Sequence, residues 1–189
     1  MNRIGILGDI GSGKSYVAKQ FGYPVFNADD EVAKLYKKSR KCYNKLKKVL
    51  PNYITSFPVK KVELSRAIIA NQNNLKKIVK IVHPEVRNKM NNFSKKYNNK
   101  KFIILDIPLL VENKLNKKND ILIFIDAKKK DINKRLKKKY NISKKILKKF
   151  QLPVELKKKK ADFIIKNNFK TNSIKKNVKI ILEKILLNA

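Results

Sequence analysis

Residues 8–15 read G-D-I-G-S-G-K-S, and they stand between an apolar run, Arg3–Leu7, and a run with helical spacing, Ser15–Phe21. A chain that passes from strand to helix in so few residues needs torsions closed to most side chains, and Gly8, Gly11 and Gly13 supply them. The stretch fits G-x-x-x-x-G-K-[ST] at Gly8, Gly13, Lys14 and Ser15. Such a loop turns its backbone N–H groups inward at an anion, and the positive end of the next helix points at the same place. Lys14 then reaches the β- and γ-phosphates of a nucleotide, and the Ser15 hydroxyl ligates a Mg²⁺ ion that bridges them. Ser12 and Tyr16 complete the stretch that holds the nucleotide. A plain glycine-rich turn would show the same glycines, but a strand before it and a helix after it favour the phosphate loop. The loop implies nucleotide binding and leaves the acceptor unnamed.

Beyond the loop, Tyr23–Ala28 reads as a second short strand, and from Asp29 onward Val32, Leu35 and Tyr36 fall on one side of a helix. From about residue 42 to 97 the pattern is mainly helical, with Leu64, Ile68, Leu75, Ile78, Val79 and Val82 recurring at three- and four-residue steps. Lys101–Pro108 and Ile121–Ala127 read as buried strands, Asp162–Ile165 as a last short strand, and Thr171–Leu187 as a closing amphipathic helix. Residues 128–160 carry fifteen lysines against Asp131 and Glu155, and read as two helices joined near Tyr140–Ser143. Short apolar strands alternating with helical crossovers predict a three-layer α/β/α fold around a parallel sheet. The expected arrangement is a single domain over residues 1–189, with a core of about 1–30, 100–127 and 161–189 and helical insertions at about 31–99 and 128–160.

The formal net charge of +34 raises nucleic acid as a partner. Yet of the 48 basic residues only Arg3, Arg40, Arg66, Arg87 and Arg135 are arginine, the residue that phosphate clamps and base readout favour. Lysine, asparagine and isoleucine are all abundant, and the lysines are spread along the chain. That pattern points to coding drift with lysines solvated on helix faces, so no specific nucleic-acid partner is expected. In residues 128–160 the apolar positions Ile132, Leu136, Ile142, Ile146 and Leu147 look like packing faces, and only Tyr140 and Phe150 are there for base stacking. No apolar run approaches the roughly 18 residues of a membrane span. Cys42 is the only cysteine and the first residues lack a secretory layout, so the expected setting is the cytoplasm.

Asp29 follows the second strand, where it accepts a proton from an acceptor hydroxyl, helps to place Mg²⁺, or caps the next helix. Asp30 and Glu31 fit the first helical turn, favoured by its dipole. Asp106 ends a hydrophobic strand just before Pro108, and either binds Mg²⁺ through water or serves the turn. His83 is the only histidine, and before Pro84 it reads as a helix-boundary residue.

In order along the chain stand G-D-I-G-S-G-K-S, V-F-N-A-D-D-E-V-A-K-L-Y, I-V-H-P-E-V-R, L-D-I-P-L-L-V-E and Q-L-P-V-E-L-K-K-K-K-A-D-F-I-I-K-N-N. Together they resemble the dephospho-CoA kinase family, from Ile4 to about Asn168. The resemblance implies a phosphate-loop kinase fold and transfer of the γ-phosphoryl of ATP to the ribose 3′-hydroxyl of dephospho-CoA, giving CoA. It implies ATP and Mg²⁺, a CoA-binding helical region at about 31–99, and a lid at about 128–160. It makes Asp29 the catalytic acid–base group, with Lys14 and Arg135 handling phosphates. It places His83, Arg87, Pro108, Leu109 and Leu110 on the substrate side, and Ser15 and Asp106 with the metal. The assembly expected is a monomer or weak homo-oligomer.

The chain departs from that pattern in several places. Asn27-Ala28-Asp29 stands where D-A-D is usual, Lys139 and Lys158 stand at common lid-arginine positions, and Phe150 stands at a common basic one. Lysine keeps the charge but loses bidentate geometry. N-N-F at 167–169 lacks the usual glycine.

Overall fold

Five short runs rich in isoleucine, leucine and phenylalanine become five parallel strands, β1 (Asn2–Gly8), β2 (Val25–Asn27), β3 (Phe102–Asp106), β4 (Ile121–Asp126) and β5 (Phe163–Lys166). The structure is a computed structural model and describes residues 1–137 and 151–187. The expectations made for Lys139, Tyr140–Ser143, Ile142, Ile146, Leu147 and Phe150 lie outside the described residues. The helices described are α1 (Lys14–Gln20), α2 (Ala28–Lys38), α3 (Arg40–Val49), α4 (Lys61–Ala70), α5 (Asn73–Lys96), α6 (Lys129–Lys137), α7 (Val154–Lys159) and α8 (Thr171–Leu187). The fold is the three-layer α/β/α arrangement expected from the sequence.

The strand order is β2-β3-β1-β4-β5, every pair parallel. Because β1 lies between β3 and β4, the chain leaves it in one direction and later returns on its other side. The crevice beyond the carboxyl ends of strands at such a switch point is where open α/β sheets take ligands. Register aligns those ends, since Asn27 is paired with Asp106 and Gly8 with Ile125.

Alternate residues serve the two faces of the sheet. Ile4, Ile6, Phe102, Ile104, Ile123 and Ile125 pack with Val17, Ala18 and Phe21 of α1 and Ile174, Val178 and Ile185 of α8. Ile103, Leu105 and Phe124 point the other way and are also buried, so both faces are covered. Leu110 lies over Gly5, whose Cβ, if it had one, would sit 2.6 Å from the Leu110 side chain. At the opposite end of β1, Arg3 grips Asp120 with Nε to Oδ1 at 2.8 Å and Nη2 to Oδ2 at 2.6 Å. This buried bidentate pair ties the starts of β1 and β4.

The chain forms two compact units, residues 1–27 with 97–189, and residues 28–96. The second unit has its own core of Leu35, Cys42, Leu46, Leu50, Ile54, Leu64, Ala67, Ile78 and Val82. Ser39 caps α3 by accepting a hydrogen bond from the Cys42 N–H. Burial pushes the Cys42 thiol pKa up, as it does for the Tyr36 hydroxyl. The Glu63 carboxylate accepts from the N–H and hydroxyl of both Thr55 and Ser56 on Oε1, and from the Lys60 N–H on Oε2. Among the described residues no helix is long and apolar enough to cross a membrane.

Two boundaries differ from the sequence expectation. The strand expected over Tyr23–Ala28 is only Val25–Asn27, because Ala28 already opens α2 and no loop separates the two. His83 and Pro84 do not mark a helix boundary, since α5 runs through them from Asn73 to Lys96. Pro84 removes one N–H donor, but Ile78 and Val82 before it and Met90 after it are buried along the same helix. Packing of that apolar stripe outweighs the local penalty of about 3 kcal/mol.

Candidate active site

The loop between β1 and α1 takes the torsions its glycines allow, with φ of 145° at Gly8, 86° at Gly11 and 91° at Gly13. At Gly13 the glycine is required twice over. Its φ lies in the left-handed region, and a Cβ there would meet Asn167 Nδ2 at 2.5 Å. Ser15 is exposed in the first turn of α1. Lys14 folds back on the loop, donating from Nζ to the carbonyls of Gly8 at 3.1 Å and Asp9 at 2.8 Å. Ser12 is fully buried, and its hydroxyl is one of two buried side-chain polar atoms without a hydrogen-bond partner among the described residues. Tyr16 is exposed and donates from its hydroxyl to Thr171 Oγ1 at the start of α8.

Three distant segments hold this loop. Asn167, just past β5, donates from Nδ2 to the Ser12 carbonyl at 2.7 Å while its Oδ1 accepts from the Phe169 N–H at 2.7 Å. Its own N–H donates to the Asp126 carbonyl at the end of β4. Lys157 of α7 donates to Asp9 Oδ1 at 3.0 Å. Ile132 and Leu136 of α6 pack close above Gly11. A small cavity of about 160 Å³ adjoins these contacts, lined by Asp9, Ser12, Asp126, Lys129, Glu155 and Lys158 among others.

At the neighbouring strand end, Asp106 is buried and accepts from Asn27 Nδ2 at 2.6 Å. An amide thus stands where a second carboxylate would place like charge beside Asp106. In place of the carboxylate usual at position 27 in the pattern that the chain resembles, Asn27 donates a hydrogen bond. Ser15 and Asp106 offer hard oxygen donors, the chemistry Mg²⁺ prefers. Among the described residues no three of His, Cys, Asp and Glu gather into a metal cage. Mg²⁺ in kinases is held by one or two protein oxygens and the substrate phosphates, so the donor set fits.

After Asp106 the chain passes through Pro108 and Leu109, both half-buried, with Leu109 at φ 58°. Leu110 is in the core. Glu112 accepts from the Leu152 N–H at 3.1 Å, which joins the P-L-L-x-E stretch to the Q-L-P stretch. Arg135 is exposed, with its guanidinium 4.5 Å from the centre of the Phe169 ring. Phe169 has φ 62°, so a bulky residue takes the left-handed backbone at a position where glycine was expected. Lys158 lies 3.4 Å from Asp126.

In the helical unit, Asp29 is exposed and is the second residue of α2, inside the first turn with Asp30 and Glu31 rather than at its cap. His83 and Arg87 are one turn apart on α5, so they share a face. Burial, and then the Arg87 charge, hold the His83 pKa below its ordinary value, leaving the imidazole neutral at pH 7.

Sequence reasoning named the loop but not its supports. Asn167 is one of two adjacent asparagines, and Lys157 is the first lysine in a run of four. A hydrophobic-to-polar rhythm would not have found either, because each acts on a residue about 150 positions away.

Comparison with known proteins agrees with this geometry. The family model for dephospho-CoA kinase matches residues 2–173. A dephospho-CoA kinase of Bartonella quintana is 32% identical over 203 residues, covering all of both chains. That of the Wolbachia of Brugia malayi is 32% identical, covering 98% of this chain and 99% of its own. A crystal structure from Thermus thermophilus superposes with a TM-score of 0.75 at 26% identity, covering 97% of each chain. The fold is also that of a dephospho-CoA kinase from Campylobacter jejuni, with a TM-score of 0.66 at 21% identity and 97% coverage of each chain. This phosphate-loop kinase belongs to the dephospho-CoA kinase family.

Proposed function

We propose that the chain transfers the γ-phosphoryl group of ATP to the ribose 3′-hydroxyl of dephospho-CoA, releasing ADP and CoA. The observation that carries the reading is the loop of residues 8–15, held open by positive φ at the carboxyl end of the central strand beside the buried carboxylate of Asp106. Its N–H groups and the start of α1 take the ATP phosphates. Lys14 leaves the Gly8 and Asp9 carbonyls for the β- and γ-phosphates. Ser15 and Asp106 are the residues that would hold Mg²⁺, which supplies charge neutralisation on the phosphoryl oxygens. Asn27 keeps the Asp106 carboxylate in one orientation for that task.

Asp29 accepts the proton of the 3′-hydroxyl as its oxygen bonds to the γ-phosphorus and the bond to the bridging oxygen of ADP breaks. Arg135 leaves the Phe169 ring and offsets charge on the transferring group. Residues 31–99 take the CoA body, with neutral His83 and cationic Arg87 facing it from α5. Pro108, Leu109 and Leu110 shape the substrate side of the core. Residues 128–160 act as a lid that keeps water from competing as acceptor. The enzyme works in the cytoplasm as a monomer or weak homo-oligomer.

The test is Asp29→Asn. Turnover should fall by a factor on the order of a hundred or more, with the KM for ATP nearly unchanged. Unchanged turnover would remove Asp29 from the chemistry.

A further inference from the structure

The phosphate loop contains a carboxylate as well as glycines. Asp9 stands second in the loop, and its charge opposes any polyphosphate that the loop binds. The structure sets Lys157 against it. Lys157 Nζ lies 3.0 Å from Asp9 Oδ1, and the Lys157 side chain is 2% exposed against 31% for Asp9. A lysine that deep is rare without a partner.

Such a pair is a weak source of stability, because apolar residues of similar volume often replace it without loss. What the geometry gives instead is position. The Asp9 carbonyl accepts from the Ser12 N–H at 3.1 Å and from Lys14 Nζ at 2.8 Å. One residue is therefore held through its backbone by Lys14 and through its carboxylate by Lys157. When Lys14 turns to the phosphates it gives up the Asp9 carbonyl, and the Lys157 contact with the carboxylate is what remains to hold the residue.

We infer that Lys157 is a positioning residue for nucleotide binding: it anchors and cancels the Asp9 carboxylate so that the loop presents a positive field to ATP. The inference rests on the loop being the ATP site. It links α7, which lies at the end of the basic segment 128–160, directly to a loop 148 positions away in sequence.

The experiment is calorimetric titration of ATP with Mg²⁺ into the wild-type chain, K157M, D9N and the double variant, with thermal melts on each. K157M should bind ATP about tenfold more weakly, since an uncancelled carboxylate then faces the phosphates, while it stays folded. Adding D9N to K157M should restore most of the affinity. D9N alone leaves a buried lysine unpaired, so it should lower the melting temperature yet bind ATP at least as tightly as wild type. A purely structural pair would instead make both single variants weaken binding alike, with no rescue. K157M binding like wild type, or a double variant no better than K157M, overturns the inference alone. Should K157M fail to fold, D9N decides: affinity held or raised supports the inference, and affinity lost overturns it. A wild-type chain without ATP affinity overturns the functional reading and this inference with it.

Discussion

The phosphate loop and the turn over residues 54–60 are both tied by polar side chains, and they differ in where those side chains come from. The turn is held by Glu63, whose partners Thr55, Ser56 and Lys60 lie three to eight positions away. The loop is held by Asn167 and Lys157, which are 155 and 148 positions from the residues they grip. A local clamp forms as soon as its own helix does. A distant clamp exists only once β4 and β5 have joined the sheet and α7 has docked Lys157 on Asp9. The shape of the nucleotide site therefore depends on the last third of the chain, while the turn depends on itself.

Three substitutions probe that contrast through nucleotide affinity. Gly13→Ala attacks the distant clamp at its closest point, because the new methyl would lie 2.5 Å from Asn167 Nδ2 on a backbone of φ 91°. ATP affinity measured by titration should fall by about a hundredfold, the sum of left-handed strain and displacement of the clamp. Asn167→Ala removes the clamp and leaves the loop backbone free to adjust. The KM for ATP should rise about tenfold, and the melting curve should report a loss of about 1–3 kcal/mol for the unpaired buried carbonyl. An unchanged KM would mean that the loop holds its shape without distant help, and the comparison would fail.

Glu63→Gln should leave the KM for ATP within about twofold, because its bonds are confined to the other unit. Its effect is on stability and follows pH. Burial alone would raise the Glu63 pKa, but hydrogen bonds from Lys60, Thr55 and Ser56 prevail and lower it to about 2. An unfolded glutamate titrates near about 4.3, so the stabilisation is fully present above that pH and is lost as pH falls towards 2. Urea melts of wild type should weaken steadily through this window, and those of Glu63→Gln should lack that component.

The same contrast explains what the sequence made legible. The strands, the loop and the closing helix Thr171–Leu187 were readable because apolar spacing and glycine placement are local signals. His83 was misplaced at a helix boundary because a His-Pro pair is read locally, while the stripe of Ile78, Val82 and Met90 that carries α5 past Pro84 acts through packing. Position 27 read as a lost charge, and only the pairing of β2 with β3 reveals its amide on Asp106. Phe169 read as a missing glycine, yet the backbone keeps the left-handed turn with Asn167 accepting from its N–H. Lys157 was illegible for a different reason: among the described lysines it is set apart by its burial and its pairing with Asp9, which a run of lysines does not show.

The most direct test of the account is ADP release from ATP and Mg²⁺ by the purified chain, with and without dephospho-CoA, with the product identified by mass. The account predicts strong stimulation by dephospho-CoA and a product heavier by one phosphate on the ribose 3′-oxygen. ATP binding without such stimulation would contradict it, leaving a working phosphate loop with the wrong acceptor.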